Sequence, residues 1–364
     1  MKRKSFEAAG SATKEIKLLK NNYTLLLNFD MSPKQLVTLL KFCIPHQMPV
    51  LIKGAPGVGK TDIVKSVTDA LQFDRLIMHP VVDESIDYKG IPAIINGQAL
   101  FLPYGNLQMM IEATRPLVVF IDDMGQAEVS VQKAIMQLLL ERSINGKRIS
   151  DHVSFVAATN RQQDKAGVSA IIEPVKSRFA TIVELEINLD DWIEWAVQNK
   201  MPMELIMFLR FIPTAITEFH PTRELKNSSC PRTIAMVGEM MNAGLPKEME
   251  QEVFAGSAGD DFATKFCAFL KVSRELPNPH DVLKNPKRSI VPKTLDAQYA
   301  IAGSLAQHVS EKTLGNMITY LDRMPGEFSV KAIKDAIQLK AGEFITHPAF
   351  QRWAHEKREL LFAA

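Results

Sequence analysis

The sequence predicts an α/β fold, with a parallel sheet flanked by helices, followed by a helical lid domain and a helical C-terminal region. Three observations predict it. Val50-Leu51-Ile52, Leu117 to Ile121 and Val153 to Ala158, the last broken only by Ser154, are short apolar runs, the pattern of parallel strands buried on both faces. Each run ends in residues able to do chemistry, as at the carboxyl edge of an open α/β sheet. Beyond Leu189 the runs give way to apolar residues at helical spacing.

The first run leads into Gly54, Ala55, Pro56, Gly57, Val58, Gly59, Lys60 and Thr61, an unbroken G-x-x-x-x-G-K-S/T between a strand and a helix. The glycines let successive N–H groups turn inward on phosphate oxygens, and the following helix adds the positive end of its dipole. Lys60 is placed for the β- and γ-phosphates, its ammonium expected in a solvated cleft, and Thr61 offers a hydroxyl to Mg²⁺. This chain is therefore expected to bind a nucleoside triphosphate.

The second run ends in Asp122-Asp123. Asp122 is placed to hold Mg²⁺, and Asp123 to orient the water that attacks the γ-phosphate. The third ends in Thr159-Asn160. The Asn160 amide both donates and accepts, which suits it to pin a water between Asp123 and the phosphate. A plain turn residue is the other reading.

Over about Met31 to Met241 this order of elements resembles the AAA+ ATPases, and within them the MoxR-like group related to dynein-type modules. Asp122 to Ala127, leading into Val131-Gln132, Leu138-Leu139-Leu140 and Glu141-Arg142, looks like the second acidic motif and its helix. Ala158-Thr159-Asn160 is similar to the sensor 1 motif, Ser177-Arg178-Phe179 to the arginine-finger motif, and Cys230-Pro231-Arg232 to the sensor 2 motif. The family commonly has Glu where this chain has Asp123, a side chain shorter by one carbon–carbon bond, about 1.5 Å. The resemblance thus bears more firmly on binding than on the rate of hydrolysis.

The resemblance implies ATP with Mg²⁺, a homo-oligomeric ring of hexameric type, and Arg178 reaching a neighbouring subunit's nucleotide. A guanidinium suits that role, since it offers planar donors to charge spread over phosphoryl oxygens; a surface salt bridge is the alternative. Arg232 follows Pro231 at a helix start and is assigned to the γ-phosphate, with plain solvent exposure equally open. Arg142 is a further intersubunit candidate. The resemblance also implies a lid that changes its angle on hydrolysis to remodel a protein, and a partner with a von Willebrand factor A-like domain.

Asn96-Gly97 and Asn145-Gly146 each sit between strand-like residues, a strong hairpin signal. In the resembled group comparable hairpins face substrate or partner. Closing the domain surface is the alternative.

Composition narrows the partners. The formal net charge of +2 gives no case for nucleic acid. Cys43, Cys230 and Cys267 are odd in number and far apart, which points to a reducing, cytoplasmic setting. No stretch reaches about 18 apolar residues, so no membrane helix is expected.

The expected organisation is a basic tail and linker over 1–30, the nucleotide domain over 31–189, a helical lid over 190–275, a Pro- and Lys-rich linker over 276–294 and C-terminal helices over 295–364. In the lid, Met203 to Phe211 and Thr233 to Met241 read as helices around a polar loop from His220 to Ser229, and further helices are expected from Phe262 to Val272, Leu295 to His308, Lys312 to Leu321, Val330 to Ala341 and Ala349 to Leu361. The resulting expectation is a ring ATPase that remodels a protein. Two alternatives stay open: a nucleic-acid motor, which would need a basic stripe, and a slow nucleotide-dependent switch, which Asp123 allows.

Overall fold

A computed structural model describes residues 30–161, 164, 171–217, 226–340 and 342–358. The basic tail before Asp30, His220 to Leu225 of the polar loop, Ala341 and the end of the last expected helix at Leu361 lie outside the described residues. The chain forms two compact units: one takes most of the sequence up to Glu186, and the other takes Ala55–Gly59 and the chain from Ile187.

The first unit opens with β1 (Asp30–Met31) and α1 (Pro33–Cys43). Ser32 starts α1 with a capping box: its hydroxyl accepts from the Gln35 N–H, and the Gln35 side chain accepts from the Ser32 N–H at 2.9 Å. There follow β2 (Val50–Gly54), α2 (Lys60–Leu71), β3 (Asp74–Met78), α3 (Ser85–Lys89), β4 (Ile91–Ile95), β5 (Gln98–Leu102), α4 (Gly105–Glu112), β6 (Leu117–Ile121), α5 (Val129–Glu141), β7 (Ser143–Ile144), β8 (Lys147–Arg148), β9 (Val153–Thr159), α6 (Glu173–Lys176) and β10 (Thr181–Leu185).

Six strands form one sheet in the order β1-β10-β2-β9-β6-β3, and every neighbouring pair is parallel. Every residue of β6 and β9 is buried, which explains why both are largely apolar. Lys53 pairs with Thr159, and Ile121 with Ala157. The ends of β2, β9 and β6 therefore share one sheet edge.

The second unit is helical: α7 (Leu189–Gln198), α8 (Met203–Phe211), α9 (Pro231–Asn242), α10 (Glu250–Ala258), α11 (Asp260–Arg274), α12 (Pro279–Lys284), α13 (Leu295–His308), α14 (Leu314–Leu321), α15 (Gly326–Leu339) and α16 (Pro348–Glu356). One hydrophobic cluster runs through them from Trp192 to Trp353, so the helices before and after the expected linker share a core. That linker itself contains α12, because the Asn278 side chain accepts from the His280 N–H at 2.9 Å and Pro279 takes the first helical position. Phe208 sits at the centre, its ring centroid 5.4 Å from that of Phe262 and 4.9 Å from that of Phe266. Arg210 forks onto the carboxylate of Asp335, joining α8 to α15. Among the described residues no helix is long and apolar enough to cross a membrane.

Gly303 is where α13 meets α8. A methyl group there would overlap Met207 Cγ and come within 2.9 Å of Met203 Cγ. Alanine suits a helix better than glycine, but overpacking a dense core costs about 1–3 kcal/mol. Gly303→Ala is therefore expected to lower the urea midpoint with an unchanged slope. An unchanged midpoint would mean that α8 has room to move.

Candidate nucleotide-binding site

The loop from Gly54 to Thr61 leaves the end of β2 and enters α2. Gly57 has φ +73° and Gly59 φ +99°, backbone conformations that favour glycine. A Cβ at Gly59 would meet nothing within 4 Å, so the loop opens onto free space there. A Cβ at Gly57 would lie 2.5 Å from Cys230 Sγ. The backbone N–H of Arg232 donates to the Gly57 carbonyl at 3.1 Å. Cys230 and Arg232 thus approach Gly57 through a thiol and a backbone N–H, while the Arg232 side chain is exposed.

Lys60 does not extend into solvent as the sequence reading expected. It is 7% exposed, and its ammonium donates to the Gly54 carbonyl at 2.9 Å and to Asn160 Oδ1 at 2.7 Å. The reason is strand adjacency: β9 pairs with β2, which brings Asn160 alongside the loop.

Asn160 Nδ2 in turn donates to Asp123 Oδ1 at 3.0 Å. Asp122 is 9% exposed; its Oδ2 accepts from Thr61 Oγ1 at 2.7 Å and its Oδ1 from the Asp123 N–H at 3.0 Å. One chain of hydrogen bonds therefore joins Gly54, Lys60, Asn160, Asp123, Asp122 and Thr61. Asp123 adopts φ +53°, ψ +33°, a left-handed conformation that Asp tolerates better than most residues. Such strain costs of order 1–3 kcal/mol and concentrates at functional sites.

These residues fit magnesium and a polyphosphate. The hydroxyl of Thr61 and the carboxylate of Asp122 are hard oxygen donors of the kind Mg²⁺ takes. The positive-φ glycines and the Lys60 ammonium supply the backbone conformation and the charge that phosphate binding needs.

Arg178 follows α6 and is half-buried. Its Nη1 donates to Ser177 Oγ at 3.1 Å, and among the described residues its buried Nε has no hydrogen-bond partner and no carboxylate pairs with it. Arg142 is used within its own unit: in a left-handed conformation at the end of α5, it donates to the carbonyls of Ser150 at 2.8 Å and Val153 at 2.9 Å.

Gln132 was not singled out from the sequence as a site residue. It is fully buried on α5; its amide donates to the Ala127 carbonyl and accepts from the Ile172 N–H, each at 3.1 Å. It thereby ties the segment after Asp123 to Ile172, the residue that precedes α6, and Arg178 lies just beyond the other end of that helix. The available signal was a glutamine on the apolar face of an amphipathic helix.

Both Asn-Gly pairs close two-residue hairpins with positive φ at each turn residue. β4 and β5 pair only with each other. Ile94 is 80% exposed, and Ile91, Ile95, Leu100, Phe101 and Leu102 are exposed with it; no residue from Ile91 to Leu102 carries a charge.

Residues 49–179 match the family model described as AAA domain (dynein-related subfamily). Among solved structures, the chain is similar to the Thermotoga maritima RuvB Holliday junction branch migration motor, with 19% identity over 83% of this chain and 93% of that one and a TM-score of 0.37. It is also similar to NtrX from Brucella abortus, with 12% identity over 99% of this chain and 76% of that one and a TM-score of 0.34. No curated protein matches the chain.

Proposed function

We propose, from the premise that residues 49–179 are an AAA domain of the dynein-related subfamily, that this chain is a MoxR-like ATPase that forms a ring, hydrolyses ATP at subunit interfaces and remodels a protein partner in the cytoplasm. In this reading residues 190–275 act as the lid. The single observation that carries it is the bond chain from Lys60 through Asn160, Asp123 and Asp122 to Thr61. It gathers an ammonium, a hydroxyl, two carboxylates and an amide at one sheet edge, the groups that this reading calls for.

Magnesium-bound ATP supplies the phosphoryl bond that is broken and the charge that these residues neutralise. Lys60 and the backbone N–H groups of Gly57 to Lys60 would take the phosphates, and Thr61 and Asp122 would hold the metal. Asp123, steered by Asn160, aligns the water and accepts its proton. Arg178 answers the charge on a neighbour's nucleotide, and Arg232 serves the nucleotide of its own site.

A protein client is supported by the β4–β5 hairpin, whose uncharged, exposed apolar surface suits contact with another protein. A von Willebrand factor A-like partner belongs to the same proposal on the family resemblance alone.

The competing switch reading rests on the short side chain of Asp123, and single-turnover hydrolysis separates the two. Asp123→Asn is expected to lower the rate about a hundredfold, the cost of a misaligned water, with nucleotide affinity unchanged. Asp123→Glu is expected to be slower than wild type, because lengthening the side chain displaces the carboxylate from Asn160. A faster Glu variant would favour the switch, and an Asn variant as fast as wild type would remove Asp123 from the mechanism.

A further inference from the structure

Residues 284–293 carry Lys284, Lys287, Arg288 and Lys293 and no acidic residue. All four cations are exposed, and among the described residues none is paired with a carboxylate. They crowd into ten residues of a chain whose whole net charge is +2. At their centre Ile290 is 77% exposed, among the most exposed large apolar side chains of the described residues.

This segment is held by the neighbouring helices. Arg323, stacked over the Tyr320 ring at 5.6 Å, donates to the carbonyls of Pro286 at 2.6 Å and Ser289 at 2.8 Å. The Tyr320 hydroxyl donates to the Ile290 carbonyl at 2.7 Å, and Gln298 donates to the Pro292 carbonyl at 2.9 Å. Asn316 donates to the Leu283 carbonyl at 2.7 Å. Tyr320 is itself fully buried in the helical core, so that anchor is rigid. The carbonyls of Pro286, Ser289, Ile290 and Pro292 are spent on Arg323, Tyr320 and Gln298, while the cationic side chains and Ile290 remain exposed. A solvated linker has no use for such bonds, since ordering a loop costs conformational entropy.

We propose that residues 284–293 form a preorganised docking surface for an acidic segment of a partner protein, with Ile290 as the apolar anchor and Lys284, Lys287, Arg288 and Lys293 as the rim. The chemistry favours protein over nucleic acid. Surfaces that take single strands without sequence preference pair cations with aromatic rings on which bases stack, and residues 284–293 contain no aromatic residue. An apolar centre inside a charged rim is instead the anatomy of a protein interface. Preorganisation lowers the ordering cost of binding, which is the use we assign to the anchoring bonds. This surface lies outside the nucleotide machinery, and the proposal does not depend on hydrolysis.

The test is fluorescence anisotropy with the full chain and three labelled probes: a peptide of Glu and Asp residues around a single Leu, the same peptide with Gln and Asn in place of the acids, and a thymidine oligonucleotide of matched charge. The acidic peptide is expected to bind and the neutral one to bind at least about tenfold more weakly. Lys287→Glu combined with Arg288→Glu is expected to weaken the acidic peptide by roughly tenfold or more, as like-charge juxtaposition should. Ile290→Ser is expected to weaken it severalfold, with nucleotide affinity unchanged in both variants as proof of an intact fold. The proposal is overturned if the acidic peptide does not bind or binds no better than the neutral one, or if either variant leaves its affinity unchanged. It is equally overturned if the oligonucleotide binds more tightly and is lost on charge reversal but not in Ile290→Ser, since the partner is then nucleic acid.

Discussion

Replacing Lys60 by alanine is expected to abolish measurable nucleotide binding, and hydrolysis with it, while the chain stays folded. Hydrogen bonds to charged groups contribute roughly 1.5–3 kcal/mol, and a phosphate-binding ammonium makes several with a polyanion, so the affinity should fall by well over tenfold. The structure adds a stability cost that a solvent-pointing lysine would not carry. Lys60 is buried and donates to the Gly54 carbonyl and to Asn160, and both acceptors lose that donor in the variant. Each buried group left unpaired costs about 1–3 kcal/mol, but Asn160 is only half-buried and can turn to water. The expected result is a lower melting temperature with native far-UV circular dichroism and no titration with a fluorescent ATP analogue. Wild-type affinity would remove Lys60, and with it the whole loop assignment, from the site.

How legible the molecule was depends on which physics wrote each part. The central strands were readable because β6 and β9 are buried throughout and β2 at every residue but Lys53, so all three are mostly apolar. The edge strand β3 was not, since it opens on Asp74 and Arg75 and only its second half looks like a strand. The hairpin turns were readable because a two-residue turn with positive φ at both positions selects Asn-Gly.

Within the site, Lys60, Thr61, Asp122, Asp123 and Asn160 could each be named from local motifs, but the bonds among them depend on which strands are neighbours. Nothing local says that Asn160 takes the Lys60 ammonium. Nor does Asp-Asp-Met-Gly announce a left-handed Asp123, where glycine would be the usual signal. Gln132 is the clearest case: its bond to the Ala127 carbonyl is local, but its partner Ile172 is distant in sequence, so that second bond comes from tertiary packing alone.

Arg178→Ala is expected to be as inactive as Lys60→Ala on its own, yet the two together should recover part of the activity. The argument starts from the state of the guanidinium: Arg178 is half-buried, touches Ser177 and, among the described residues, meets no carboxylate. That weakens the salt-bridge reading, since a structural arginine is normally paired or forked onto carbonyls, as Arg142 is. An arginine finger contributes on the order of 10³-fold or more to hydrolysis, so the single variant should fall to background with its nucleotide affinity preserved. In a mixed ring, an interface with an intact Lys60 on one side and an intact Arg178 on the other restores a complete site. Titrating one inactive variant into the other at fixed total protein should therefore give a rate that rises and then falls with composition. Co-assembly is verified by size-exclusion chromatography of differently tagged subunits. Recovery would place Arg178 in the neighbour's site; a flat profile from co-assembled rings would mean that the arginine acts within its own subunit or only supports the end of α6, and the interface mechanism would fall with it.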